Sequence, residues 1–281
     1  MKIAITAVSG QLGSAIAKKA IQEFSKTNVV GTARSPEKAK HLGIKIIKAD
    51  YNSKDNFVNA FKGIDAVLLV SGMDKPENRI IQHQNVIHAA KESGVKKIVY
   101  TSIIGKPGNS SFDAIINCNR QTEEDIKQSG LKYAIGRNGL YIEPDIEYLE
   151  NYIKESKIAN CAADGKCSYT SRDEIAIAYT QLLKNDLLNG KIFNLTGESI
   201  TQTQLVGYFN KYYKTDLIFK SQSTEEYLAW QQKHNGEFLG SIIAGIYTKI
   251  RNGEFELSSD FEQIVGRKHK TIAQIIQESK N

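Results

Sequence analysis

Residues 2–25 read KIAITAVSGQLGSAIAKKAIQEFS. The opening run 2–6, KIAIT, is short and rich in apolar and β-branched side chains, as a strand buried on both faces requires. From 11 to 25 the apolar residues return at helical spacing. Between them lies the turn Ala7-Val8-Ser9-Gly10-Gln11-Leu12-Gly13. A helix that comes so directly after a strand presents unpaired N–H groups and a partial positive charge at its start, which suits a pyrophosphate. Gly10 would let the backbone approach phosphates, and Gly13 would let the helix pack close to the strand. Where a dinucleotide fingerprint carries its first glycine, position 7 is alanine. Its Cβ requires either a negative φ there or some strain. A glycine-bearing turn can also do no more than close a βα unit, so residues beyond the loop have to decide between the two roles.

Downstream, 28–33, 44–48, 64–70, 96–101 and 132–137 read as further buried strands, with helical stretches at 35–42, 53–61, 77–93 and 119–129. This alternation predicts an α/β Rossmann-type fold, a doubly wound parallel sheet with helices on both faces joined by right-handed crossovers. Beyond about residue 140 the pattern is irregular, with helices expected at 145–156, 172–184, 201–213, 223–234 and 237–251 and short strands near 158–162, 191–195 and 216–219. The expected division is a dinucleotide-binding domain over 1–140 and a smaller, mainly helical C-terminal lobe over 141–281, some of whose segments return to the main sheet. Ligands of such sheets lie at the carboxyl ends of the strands. The lobe would wall a substrate cleft there.

The second strand ends at Arg34, about twenty residues past Gly13, where an NAD-binding protein places an acidic residue against the ribose 2′-OH. No Asp or Glu lies between Val29 and Pro36, and Arg34 is followed one turn later by Lys38. A guanidinium binds a 2′-phosphate bidentately, so NADPH is the expected cofactor. Asp50, after the third strand, and Ser71-Gly72, after the fourth, fall on the cofactor side. Asp50 could accept from an adenine amino group and the small pair could pass under the ribose and nicotinamide. Both also suit ordinary turns.

The chain has 281 residues, 41% hydrophobic and 24% charged, enough for a full core. Its formal charge of +6 is spread without a basic arm or stripe, which does not predict a nucleic-acid partner. The start lacks the features of a signal peptide and no apolar run is long enough for a membrane span, so a cytoplasmic monomer or homodimer is expected. Cys118, Cys161 and Cys167 form an odd set without a CxxC or a histidine pair, predicting free thiols and no metal site.

The segments TAVSGQLGSAI, ARSPEKA, KADYNSKDNFVNAFKGIDAVLLVSG, HQNVIHAAKESGVKKIVYTS and GRNGLY resemble the NmrA-like atypical short-chain dehydrogenase/reductases. Within them the likeness is to the bacterial group of type 2 NAD(P)H:quinone oxidoreductases and triphenylmethane reductase. ARSPEKA together with RNGLY carries more of it than the glycine loop, and it fades after about residue 200. The resemblance implies cofactor contacts at 7–13, at Arg34, around Ser71 to Met73 and along Asn138, Gly139, Leu140 and Tyr141, with Arg172 a further candidate. It also implies hydride transfer to a quinone or similarly electron-poor aromatic. This sequence departs at Ala7, and at Asn119-Arg120 where relatives carry a histidine.

Short-chain dehydrogenases that reduce ordinary carbonyls pair a tyrosine with a lysine four residues on. Tyr100, Tyr133 and Tyr141 have no such lysine. A quinone or a conjugated cation is already electrophilic, so alignment of donor and acceptor can suffice. Ser102, Asn138 and Tyr141 stand at strand ends where they could orient the acceptor. A strand-end turn, a cap and core packing are their respective alternatives. Trp230 is expected to pack toward the main domain, and His83 and His88 to be solvated or packed. The different class of reading is a redox sensor that binds dinucleotide without turnover. A sugar epimerase would need the tyrosine base that is missing.

Overall fold

The computed structural model describes residues 1–280. Its first half alternates as the hydrophobic pattern requires: β1 (Ile3–Ile5), α1 (Gln11–Phe24), β2 (Val29–Ala33), β3 (Lys45–Lys48), α2 (Lys54–Ala60), β4 (Ala66–Leu69), α3 (Pro76–Glu92), β5 (Lys97–Ile103), α4 (Asp113–Gln128) and β6 (Lys132–Asn138). Next come β7 (Leu140–Tyr141), α5 (Glu143–Glu147), α6 (Leu149–Glu155), β8 (Lys157–Asn160), β9 (Lys166–Thr170), α7 (Arg172–Lys184) and β10 (Lys191–Leu195). The chain closes with β11 (Ser199–Thr201), α8 (Gln202–Tyr213), β12 (Ile218–Ser221), α9 (Thr224–Asn235), α10 (Glu237–Arg251), α11 (Phe261–Val265) and α12 (Ile272–Glu278).

Seven strands form one parallel sheet in the order β3-β2-β1-β4-β5-β6-β10. Its strands send alternate residues to opposite faces. Ile3, Ile5, Leu68 and Val99 pack with α1, α7 and α11, while Ala4, Val67, Leu69 and Tyr100 pack with α2, α3 and α4. Both faces are covered, which is why the strands read as unbroken apolar runs. The winding reverses between β1 and β4, so the loops after β1, β2, β4, β5 and β6 gather at one carboxyl edge.

The lobe adds a small sheet, β11-β9-β7, and a parallel pair, β12-β8, around its own core. That sheet escaped the sequence reading because β7 and β11 are too short to show a period. Other departures have local causes. Residues 36–42 form a 3₁₀ rather than an α-helix, with Pro36 at its start and Gly43 in the left-handed region at its end. Strand β3 is a half-buried edge strand, not a buried one. Helix α4 starts at Asp113 rather than 119, because Asp113 accepts the N–H groups of Gly108 and Ser110 and pairs with the buried Lys249 of α10. The stretch 145–156 is two helices, broken at Tyr148. Trp230 is a correction: Tyr227 and Gln231 form the buried face of α9, leaving the indole 38% exposed and stacked on His234. Among the described residues no helix is long and apolar enough to cross a membrane.

Candidate active site

The turn from β1 to α1 carries the first part of the site. Ala7 has φ +51°, so of the two conformations open to it the strained one is adopted. Its carbonyl receives Gly10 N–H at 3.0 Å, and Val8 N–H donates to Thr32 O on β2. Val8 can seat there because position 31 is glycine; a Cβ would come 2.6 Å from a Val8 methyl. Gly13 is tighter still, with a Cβ 2.3 Å from Ala7 O. Leu12 packs into the core, while Ser9, Gly10 and Gln11 are exposed. Helix α1 has no side-chain cap and no acidic residue in its first turn. Its leading N–H groups therefore face the carboxyl edge free of a competing carboxylate on their own helix, an arrangement that fits a dinucleotide pyrophosphate.

Arg34 and Lys38 are exposed at the end of β2, and among the described residues neither side chain has a hydrogen bond or ion pair. Asp50 has local work: its Oδ1 accepts Asn52 N–H at 2.9 Å, and its own N–H is held by Asn56. That is an Asx turn, the second of the two roles its sequence allows.

After β4, Ser71 N–H donates to Thr101 Oγ1 at 2.8 Å and Gly72 N–H to His83 Nε2 at 2.9 Å. His83 is fully buried and burial, then the charge of Arg79, depresses its pKa to about 3, so the ring is neutral. With Nε2 accepting, the proton sits on Nδ1 and is donated to Thr122 Oγ1 at 2.9 Å. His83 thus anchors the Ser71–Met73 loop. Met73, by contrast, is 92% exposed. Tyr100 is buried, its hydroxyl donating to Asn119 Oδ1 at 2.7 Å; burial keeps it a neutral phenol.

At the ends of β5 and β6 a buried ion network appears. Glu123 of α4 receives Arg137 through Nε at 2.9 Å and Nη2 at 2.5 Å, and Arg120 at 2.6 Å. Ser102 Oγ donates to the same carboxylate at 2.6 Å and accepts from Arg120 at 3.1 Å. Its oxygen is therefore spent on the network rather than directed into the cleft. Arg120 also ties the carbonyls of Ile103 and Gly105, fixing the loop that leaves β5.

Asn138, the last residue of β6, is buried between two phenols. Its Oδ1 accepts from Tyr179 of α7 at 2.6 Å and its Nδ2 donates to Tyr141 at 2.9 Å. Burial raises the Tyr141 pKa to about 12. Gly139 is wedged against Ser168 O, and Leu140 pairs with Tyr169 and packs into the lobe core. The Arg172 guanidinium lies 5.5 Å from the Tyr141 ring centre and binds Glu147 at 3.1 Å, a carboxylate that also meets Gln11 at 3.5 Å. Glu147 so links the glycine loop to the lobe.

Sequence reasoning missed His83, Glu123, Arg137, Glu147 and Tyr179. For two of them there was a signal. A tyrosine inside the apolar run IAIAYTQLL needs a partner for its hydroxyl, and Glu123 stands i+3 from Arg120. The others depend on which elements become neighbours. A shallow depression of about 640 Å³, lined by Lys2, Lys26, Gly43, Lys45 and Lys62 among others, lies at the amino edge of the sheet, away from all these groups.

Residues 8–186 match the family model described as NAD(P)H-binding. The chain is 28% identical over 281 residues to quinone oxidoreductase 2 of Escherichia coli K12, covering 98% of this chain and 97% of the relative. It superposes with a TM-score of 0.90 on the NADPH-dependent quinone oxidoreductase of E. coli complexed with NADPH, at 27% identity over 99% of this chain and 100% of that one. The triphenylmethane reductase of Citrobacter sp. complexed with NADP(H) gives the same TM-score at 26% identity, again over 99% and 100%. These belong to the group whose motifs the sequence shares.

Proposed function

This chain belongs to the NAD(P)H-binding family, and from that premise we propose that it is an NADPH-dependent oxidoreductase whose acceptor is a quinone or a similarly electron-poor aromatic. Residues 1–140 hold the cofactor in this reading and 141–281 supply the wall of the acceptor cleft. The Gly10–Gly13 turn and the head of α1 receive the pyrophosphate, Arg34 and Lys38 the 2′-phosphate, and the Ser71–Gly72 backbone the ribose and nicotinamide side. The cofactor supplies the hydride. What the chain supplies is alignment, exclusion of water and hydrogen bonds to the acceptor.

The observation that carries the reading is the state of the tyrosines at the carboxyl edge. Tyr100, Tyr141 and Tyr179 are all raised by burial, and none is bonded to a lysine. No phenol here is set up to give or take a proton at neutral pH. Reduction of an unactivated ketone produces a basic alkoxide and needs such an acid. A quinone yields a stabilised phenolate and a triarylmethyl cation yields a neutral product, so neither needs it. The test is steady-state oxidation of NADPH, followed by its absorbance, against a panel of quinones, cationic dyes and simple ketones with NADH as control. Turnover of quinones or dyes but not ketones is expected. NADPH binding without turnover of any acceptor would overturn the enzyme reading.

A further inference from the structure

Tyr179 of α7 is fully buried, and its hydroxyl has two acceptors within reach: Asn138 Oδ1 at 2.6 Å and Gly136 O at 3.0 Å. The shorter bond runs to Asn138. Position 136 is glycine on the strand where this phenol arrives; a Cβ there would stand 2.5 Å from the Tyr179 oxygen. Backbone and helix are thus shaped so that a phenol can reach the side-chain amide of Asn138 from beneath the sheet end. A core tyrosine needs only one acceptor, and Gly136 O already offers it, so the contact with Asn138 is an addition.

An amide has a donating end and an accepting end, and its orientation is set by its neighbours. Tyr179 donates to Oδ1, which turns Nδ2 toward Tyr141. An amide nitrogen can only donate, so the Tyr141 oxygen accepts there and its own O–H is left over. Tyr141 is half-buried at the carboxyl edge, beneath Arg172. With the amide reversed, Tyr141 would donate to Oδ1 and have no proton to offer.

We propose that Tyr179 is a positioning residue that acts through Asn138 to hold the Tyr141 proton for the oxygen of a quinone acceptor as that oxygen gains charge. This rests on the quinone-reductase reading above. In the step, the quinone gains a hydride and becomes the hydroquinone monoanion while the nicotinamide is oxidised. Tyr141 donates a hydrogen bond to the new oxyanion and keeps its proton, since burial holds its pKa above that of an ordinary phenol. The product anion then takes its one proton from water. A triarylmethyl cation develops no oxyanion, so its reduction makes no use of this donor.

The experiment compares Tyr179→Phe and Tyr141→Phe with wild type on one quinone and one triarylmethane dye. It also measures ionisation of 4-nitrophenol, a redox-inert phenol, bound to the NADP⁺ complex of each protein, read from its visible absorbance. Removing an oxyanion donor outright costs about a hundredfold in kcat, and loosening its direction costs less. The expected result is a quinone-to-dye kcat ratio lowered about a hundredfold by Tyr141→Phe and about tenfold by Tyr179→Phe. The bound phenolate fraction should fall in both, and the double variant should lose no more than Tyr141→Phe alone. Equal loss on quinone and dye with unchanged nitrophenol ionisation would show a merely structural role and overturn the proposal. If wild type turns over neither acceptor, the reductase reading fails instead, and the nitrophenol comparison still decides whether Tyr179 directs the Tyr141 proton.

Discussion

Gly13 lies so close to Ala7 that a Cβ on it would come 2.3 Å from the Ala7 carbonyl oxygen, and Ala7 itself holds φ at +51°. One position is thus filled by the residue the geometry demands and the other is not. Replacing Gly13→Ala should cost about 1–3 kcal/mol of stability and weaken dinucleotide binding, because the start of α1 has to move. Replacing Ala7→Gly relieves the left-handed penalty, offset in part by the extra freedom of glycine in the unfolded chain, for a net gain of up to about 1 kcal/mol. Urea melts of both variants check the signs. A destabilised Ala7→Gly would show that the alanine methyl packs favourably enough to outweigh its backbone strain.

Removal of Arg34 should separate the two nicotinamide cofactors. It stands exposed at the end of β2 with no hydrogen bond or ion pair among the described residues, so its loss breaks nothing in the fold. A charge-assisted bond to phosphate corresponds to about tenfold or more in affinity. Arg34→Ala should raise the Kd for NADPH by about that factor and leave NADH unchanged, as measured by calorimetry. Equal weakening of both would remove Arg34 from the 2′-phosphate site.

The sheet was legible because the strands between its two edges, β3 and β10, are largely buried on both faces and four of its six crossovers are single α-helices. The glycine loop and Arg34 were legible for a related reason: their spacing from β1 is local in sequence. Ala7 was not, since an alanine of positive φ looks like any other alanine until Gly13 and Val8 are packed against it. Ser102 illustrates the limit for side chains. Its place at the end of β5 could be read, but its hydroxyl is claimed by Glu123 of α4, twenty-one residues on. Tyr179 reaches Asn138 across forty-one residues, through a helix whose face toward the sheet is fixed only by the fold.

Glu123 is 1% exposed and holds Arg120, Arg137 and Ser102 together. Burial by itself would raise its pKa, but the bonds from Arg137 and Ser102 and the charges of both arginines outweigh that and leave it below the usual value of 4.5. Because the folded value lies below the unfolded one, its contribution is complete above about pH 4.5 and is lost as pH falls through the folded value. Glu123→Gln leaves two guanidinium groups without their carboxylate. The arginines keep some solvent, so the expected cost is about 2 kcal/mol, below the range for a fully buried pair. Chemical denaturation at neutral pH measures it. A neutral outcome would mean that water replaces the carboxylate at both arginines.

His83 should make stability fall on mild acidification, in the range where an unfolded histidine takes up its proton. Its folded pKa of about 3 lies below the unfolded 6.5, with burial the main cause and Arg79 the second. Between those values the unfolded chain binds a proton that the native ring cannot take without breaking its bond from Gly72 N–H. Stability therefore declines as pH drops below 6.5, with a slope approaching 1.4 kcal/mol per unit, roughly, for this one group. Glutamine at 83 offers a carbonyl oxygen to the Gly72 N–H but does not titrate in this range. His83→Gln should accordingly be less stable at neutral pH yet lose less on going from about pH 7.5 to about pH 5, the other four histidines being common to both proteins. Because the same bond anchors the Ser71–Met73 loop, the KM for NADPH should rise in the variant. Identical pH slopes in urea melts of the two proteins would show that His83 is not held neutral by the fold.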